Sequence, residues 1–219
     1  MIRAYDKVYL ENARRNLARM LDFAVYDLKY DISVFFDMFI KSGIASRFES
    51  GDFNILAGKS GVEIAYEVVD HFGQNIRNIK PKYATDRSEE YWLGWALAYY
   101  QWETGLSFAD IIKYIPIKDI LALYMPYHEM DIHHFCDRMN KMYLTAKPDT
   151  NLQILRKKAG LSQKQLAEFS GVPLRTIQQY EQRQKNINKA QSEYLIMLSK
   201  ALYCKSEDLI EYVVENDIV

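Results

Sequence analysis

A short segment near the C-terminus carries four side chains that a buried core does not need. Leu174, Arg175, Gln178 and Gln179 are spaced so that a helix would place them on one exposed face. The surrounding residues 151–190 contain eight Lys or Arg against two acids, whereas residues 191–219 contain two basic residues against six acids. A local basic segment in a chain of net charge −1 is the footprint expected of a nucleic-acid-binding module.

The sequence around these residues predicts two helices joined by a tight turn. Ser162 is a good N-cap, and Gln165 follows it by three residues, close to a capping-box pattern. Gly171 can end the first helix in a left-handed conformation, and Pro173 can open the next one, where its missing N–H costs little. The residues expected to face the core are Leu166, Ala167, Val172, Ile177 and Tyr180.

The pattern G-L-S-Q-x-x-L-A-x-x-S-G-V-x-x-x-T-I-x-x-Y-E, which runs from Gly160 to Glu181, resembles the helix-turn-helix of Xre/Cro-type repressors. The match has more than ten positions in register, and the resemblance covers roughly residues 151–213. It implies a five-helix DNA-binding domain whose third helix enters the major groove of double-stranded DNA.

The resemblance implies a role for each matched position. The residues that it assigns to base reading are Leu174, Arg175, Gln178 and Gln179. This set suits the task, because Arg bonds guanine, Gln bonds adenine, and Leu contacts the thymine methyl group. The residues predicted to bind DNA phosphates are Ser162, Gln163, Thr176, Arg183, Lys185 and Lys189. Arg156 and Glu181 match the buried ion pair that joins the first and third helices of the family.

One position departs from the family pattern. The family often has glycine two residues after the glutamate, whereas this chain has Arg183 there. The departure leaves the geometry of the following loop open. It also adds Arg183, Lys185 and Lys189 to the candidate phosphate ligands.

The composition bounds the remaining possibilities. The chain has 219 residues, of which 49% are hydrophobic and 26% charged, so we expect a folded protein of one or two domains. No apolar run approaches the roughly 20 residues that span a bilayer, and the charged N-terminus lacks a signal-peptide core. We therefore expect a cytoplasmic protein without a membrane segment. The sequence contains no recognisable catalytic set or cofactor loop, which argues against an enzyme and predicts no cofactor.

The first 146 residues contain several helical patterns and few turn signals. Apolar periodicity predicts helices over 5–28, 30–48, 60–69, 89–101, 107–115, 117–124 and 131–144. After the linker at 145–150, where Pro148 disfavours a helix at Lys147, it predicts five more over 151–159, 162–169, 174–182, 189–202 and 206–214. The polar stretch 73–87 is expected on the surface.

Two other segments contain residues with possible ligand chemistry. Ala57–Gly61 resembles the end of a phosphate-binding loop, but Phe53 occupies the position of the required first glycine. The histidines and acids of 127–135 lack the spacing of a metal site on one helical face, so we predict no metal. The aromatic stripe between Trp92 and Trp102 is expected to be core, with a partner-binding groove as the alternative.

These patterns predict an all-α protein with a helical domain over 1–146 and an Xre-type helix-turn-helix domain over 151–219. The main hypothesis is a sequence-specific transcriptional regulator, a repressor that binds DNA as a homodimer. The N-terminal domain would then dimerise, sense a signal or bind a partner. Its layout is similar to regulators found beside small toxin genes in bacteria. The alternative is therefore an antitoxin that binds a toxin through residues 1–146 and represses its own operon.

Overall fold

A computed structural model describes residues 3–74, 79–82 and 87–213. These residues fold entirely into helices, turns and loops, without a β-strand, which confirms the predicted all-α class. The chain divides into two compact units, Met1–Tyr143 and Leu144–Val219. Among the described residues, none of the helices is both long and apolar enough to cross a membrane.

The first unit contains ten α-helices in its described residues. They are α1 (Leu10–Tyr26), α2 (Ile32–Lys41), α3 (Ile44–Glu49), α4 (Phe53–Leu56), α5 (Gly61–His71), α6 (Glu89–Thr104), α7 (Phe108–Tyr114), α8 (Ile117–Leu121), α9 (Tyr124–Tyr127) and α10 (Ile132–Ala146), the last of which ends in the second unit. Several begin at serine caps: Ser60 and Ser88 accept backbone N–H groups at the starts of α5 and α6.

The core of the first unit is organised around α1, which packs against α5 and α6. Small residues allow these close approaches. A Cβ atom on Gly94 of α6 would lie 2.6 Å from the Cα of Ala18, and one on Gly61 of α5 would lie 2.3 Å from the carbonyl oxygen of Asn16. At Gly94 the neighbouring atoms belong to the backbone of Leu17 and Ala18, which cannot move aside as a side chain can.

We expect Gly94→Ala to destabilise the first unit by about 1–3 kcal/mol, the usual range for overpacking a well-packed core. The physical reason is that the added methyl group meets the backbone of Leu17 and Ala18. Urea unfolding of the full chain, followed by tryptophan fluorescence, measures the change because all three Trp lie in this unit. A loss of less than half a kcal/mol would contradict this close approach.

The predicted helix over 30–48 is wrong as a single element. The chain forms α2 and α3 instead, separated by Gly43, whose φ of 77° is left-handed and ends the first helix. The short helix α4 lies between the helices predicted over 30–48 and 60–69. The surface stretch predicted over 73–87 falls partly on residues 75–78 and 83–86, which lie outside the described residues.

The aromatic stripe of α6 is only partly core. Trp102 is buried, whereas Trp92, Trp95 and Tyr99 are half-buried. The guanidinium carbon of Arg14 lies 3.3 Å from the ring centroid of Trp95, so a cation covers one face of this ring. The stripe therefore packs against its own unit.

The second unit contains α11 (Asn151–Lys158), α12 (Gln163–Ser170), α13 (Leu174–Glu181) and α14 (Ser192–Leu202), with 3-10 turns at Ile187–Lys189 and Ser206–Leu209. Three boundaries differ from the sequence prediction by more than one residue. The helix predicted over 189–202 begins at Ser192. The fifth helix, predicted over 206–214, is a four-residue 3-10 turn in its described part. The predicted linker is shorter, because α10 continues to Ala146.

Candidate nucleic-acid interface

The first helix of the motif, α12, begins at a reciprocal cap. The Ser162 hydroxyl accepts the backbone N–H of Gln165 at 3.2 Å, and the Gln165 side-chain oxygen accepts the N–H of Ser162 at 2.9 Å. This capping box satisfies two donors that the helix itself cannot use. It also leaves the exposed start of α12 in a defined position at the surface.

The turn between α12 and α13 is held by buried contacts. The Ser170 hydroxyl donates to the carbonyl of Leu166 at 2.6 Å and accepts the N–H of Val172 at 3.2 Å. Gly171 adopts a φ of 75°, which favours glycine. Val172 is 1% exposed, so the turn is anchored in the core of this unit. As a result, the start of α13 has one orientation relative to α12.

Helix α13 separates a core face from a surface face. Ile177, Tyr180 and Glu181 are buried, and they fix the rotation of the helix about its axis. On the other side, Leu174 and Arg175 are exposed, while Gln178 and Gln179 are half-buried. The four residues predicted to read bases thus share a surface that is fully open only at the start of the helix.

The side chain of Arg175 is available for an external partner. It makes no hydrogen bond or ion pair with any residue that the structure describes. An unpaired guanidinium keeps all its N–H donors for ligands in solution. Its position in the first turn of α13 places it at the end of the helix that is most accessible.

A buried ion pair supports α13 from behind. The Arg156 guanidinium donates to both oxygens of Glu181, with Nε–Oε1 at 2.6 Å and Nη2–Oε2 at 2.8 Å. Arg156 also donates to the carbonyl of Leu161 at 2.8 Å. The hydrogen bond to the Glu181 carboxylate raises the pKa of Arg156 above its already high ordinary value, so Arg156 remains a cation. Helices α11 and α13 are therefore joined by a bidentate, charge-assisted contact.

Gln163 belongs to the same network, a contact that the sequence did not predict. Its side-chain Nε2 donates to the Glu181 carboxylate at 2.7 Å. An amide nitrogen carries two N–H groups, so this bond leaves one for another acceptor. The carboxylate thus holds the first side chain of α12 in a fixed direction.

The six residues predicted to bind phosphates differ in their surroundings. Ser162, Lys185 and Lys189 are exposed, and Gln163 and Thr176 are half-buried. Arg183 is the exception, because its guanidinium donates to the backbone carbonyls of Pro148 at 2.5 Å and Lys147 at 3.2 Å. Arg183 is half-buried, and these two hydrogen bonds hold its guanidinium against the backbone of its own domain.

The other sequence candidates have structural roles in the first unit. Ser60 forms a capping box with Glu63 at the start of α5, and Lys59 pairs with Glu67. His128 stacks on Tyr124 with ring centroids 4.4 Å apart. Within the described part of the chain, no group of three or more His, Cys, Asp or Glu side chains is arranged to hold a metal ion.

Comparison with known proteins identifies the second unit. Residues 152–209 match the family model HTH_3, described as helix-turn-helix, and the match leaves the N-terminal unit outside it. No curated protein and no solved structure matches the chain. The matched residues contain α12, the turn and α13 in the geometry described above. Residues 152–209 accordingly form a helix-turn-helix domain that matches the HTH_3 family.

Proposed function

We propose that the chain is a sequence-specific transcriptional regulator, a repressor that binds its operator as a homodimer. The observation that carries the proposal is the exposed, unpaired Arg175 at the start of a helix whose opposite face is fixed by a buried ion pair. A recognition helix must present its side chains in one orientation, because hydrogen bonds to base edges tolerate little displacement.

Base reading follows from the side chains on the surface of α13. Arg175 has the fork of donors that bonds O6 and N7 of guanine, and it lies in the exposed first turn. Gln178 and Gln179 carry the amide that pairs with adenine, and Leu174 offers an apolar contact for a thymine methyl group. Because the two glutamines are half-buried, we expect Arg175 to contribute most of the discrimination.

Phosphate contacts would fix the register of the domain on the duplex. Gln163 has one N–H held by Glu181, and we propose that its second N–H donates to a phosphate. The hydroxyls of Ser162 and Thr176 and the ammonium groups of Lys185 and Lys189 are the other proposed contacts. The local excess of basic residues supports this, because neutralised phosphates release counterions and strengthen binding at low salt.

The test substitutes the base-reading side chains. We expect Arg175→Ala and Gln179→Ala each to lower affinity for the cognate operator by about 1–3 kcal/mol, with the larger loss in Arg175→Ala, and to change binding to random DNA little. The operator is first obtained by selection from random duplexes with the full chain. Fluorescence-anisotropy titrations on the selected and random duplexes then measure both effects.

A charge-conserving variant provides the control. Arg175→Lys keeps the positive charge and loses the planar fork, so it should keep binding random DNA and lose most of its preference for the operator. Equal losses on both duplexes in the alanine variants would show that neither residue reads bases. That result would contradict the proposed role of α13.

A further inference from the structure

Arg183 adopts a backbone conformation that is unusual for its residue type. Its φ is 57°, in the left-handed region, where side chains with a Cβ atom are strained. This is also the position at which Xre-type repressors often have glycine. The Arg183 side chain does make hydrogen bonds that can offset this strain.

That contact joins the loop after α13 to the start of the domain. The guanidinium donates to the carbonyls of Lys147 and Pro148, the two residues just before the cap of α11. Arg183 is 35 and 36 residues away from these two partners in the sequence, so the hydrogen bonds join two distant segments of the domain. A planar guanidinium suits this task because it can bond two carbonyls at once.

A second set of hydrogen bonds closes the same region. Lys147 donates to Glu211 at 3.3 Å and to Asn151 at 2.6 Å, and the side chains of both Lys147 and Glu211 are less than a tenth exposed. Asn188 donates to the carbonyl of Glu211 at 2.6 Å and accepts its N–H at 2.9 Å. We call these four residues, together with Arg183, the clasp. It fixes both ends of the segment from 183 to 188.

The segment that the clasp fixes carries a free cation. Lys185 is exposed and makes no ion pair with the residues that the structure describes. Its backbone N–H donates to the carbonyl of Gln179 at 3.1 Å, so it lies against the end of α13. An ammonium beside the recognition helix is well placed for a phosphate of the same duplex.

We infer that Arg183 is a positioning residue for DNA binding: it holds the loop 183–188 so that Lys185 reaches a phosphate beside the groove that α13 enters. The inference rests on the proposed function. It differs from a direct role, in which the guanidinium itself would bind the phosphate. In the clasp, the Arg183 guanidinium does not contact DNA; it affects binding only because it positions Lys185.

The experiment compares Arg183→Gly, Lys185→Ala and the double variant with the wild type, all as full chains. Glycine accepts the left-handed backbone, so Arg183→Gly removes the contact while relieving the strain. Tyr203→Gly is the matched control, because Tyr203 has a φ of 54° and is 98% exposed. It relieves the same kind of strain without loss of a side-chain hydrogen bond.

The readout is the dependence of affinity on salt. Using DNA selected by the wild type and a random duplex, we expect Arg183→Gly and Lys185→Ala each to weaken binding to both by about three- to tenfold. Each should lower the salt slope by about 1 for each domain bound, as expected for one lost phosphate contact. The double variant should match the single variants, since both lose the same contact. Tyr203→Gly should bind as the wild type does.

Three outcomes would overturn the inference. Additive losses in the double variant would make Arg183 an independent phosphate ligand. If the dependence of affinity on salt concentration is unchanged in Arg183→Gly, Arg183 has no part in DNA binding. Loss of protection from amide hydrogen exchange across α11–α13 in Arg183→Gly would mean that Arg183 stabilises the whole domain rather than positions Lys185. If the wild type selects no DNA sequence at all, the proposed function fails instead, so the two failures are distinguishable.

Discussion

Removing residues 1–143 is expected to lower the affinity for the selected operator by about 10²–10⁴-fold, the usual gain from linking two binding modules. One recognition helix contacts only a few base pairs, and each is worth about 1–3 kcal/mol of discrimination. Helix-turn-helix repressors select longer sites by binding two half-sites about 34 Å apart as a dimer. We propose that residues 1–146 supply that dimer.

The fragment should begin at Leu144, where the second unit begins, because Lys147 is part of its buried polar network. Light scattering of the full chain and of the fragment measures the dimer, and titrations on operator and random DNA measure binding. Fusing the fragment to an unrelated dimeric coiled coil is the control, and it should recover much of the operator affinity. A fragment that dimerises and binds its operator at full strength would contradict the assignment. Residues 1–146 would then be better described as a domain that binds a partner, such as a toxin.

Glu181→Ala is expected to destabilise the helix-turn-helix domain by about 3–5 kcal/mol, the range for removing one partner of a buried ion pair. The substitution leaves the Arg156 guanidinium, 11% exposed, without its bidentate acceptor, and it also removes the acceptor of Gln163. Hydrogen exchange of the amides in α11–α13 of the full chain, followed with increasing urea, reports the stability of this domain separately from that of the first unit.

Lys157→Ala is the matched control for this prediction. Its ion pair with Asp149 has the same chemical type but is exposed, with side-chain exposures of 53% and 38%, so its loss should change stability by less than about 1 kcal/mol. If Glu181→Ala also lowers the free energy of unfolding by less than half a kcal/mol, the buried pair contributes no more to stability than a surface pair. That result would contradict the proposal that the Arg156–Glu181 ion pair stabilises α13.

The helix starts were largely predictable because their signals are local. Ser60, Ser88, Ser107 and Ser162 each precede a helix and accept a backbone N–H, as their residue type predicts. The break at Gly43 was not predictable in the same way. Apolar residues continue across it, and one glycine inside a helix costs only about 1 kcal/mol, so either structure fits the pattern.

The positions of the candidate site residues were predictable because the motif fixes their spacing. The hydrogen-bond partners of their side chains were not predictable. The resemblance predicted the motif and the positions of Arg156 and Glu181. It did not predict that Gln163 bonds Glu181 or that Arg183 bonds the carbonyls of 147–148. Those contacts join residues 18 to 36 positions apart, and they depend on loop geometry that periodicity does not contain. Lys147 and Glu211 gave no sequence signal for the same reason.

Selection from a random duplex pool tests the central claim most directly, because it asks whether α13 reads sequence. The full chain should enrich one motif with two related half-sites about one helical turn apart. A variant with alanine at 174, 175, 178 and 179 should remain folded, since these residues lie on the surface face of α13, and should enrich no motif. Enrichment of the same motif by this variant, or of none by the wild type, would contradict sequence-specific reading by α13.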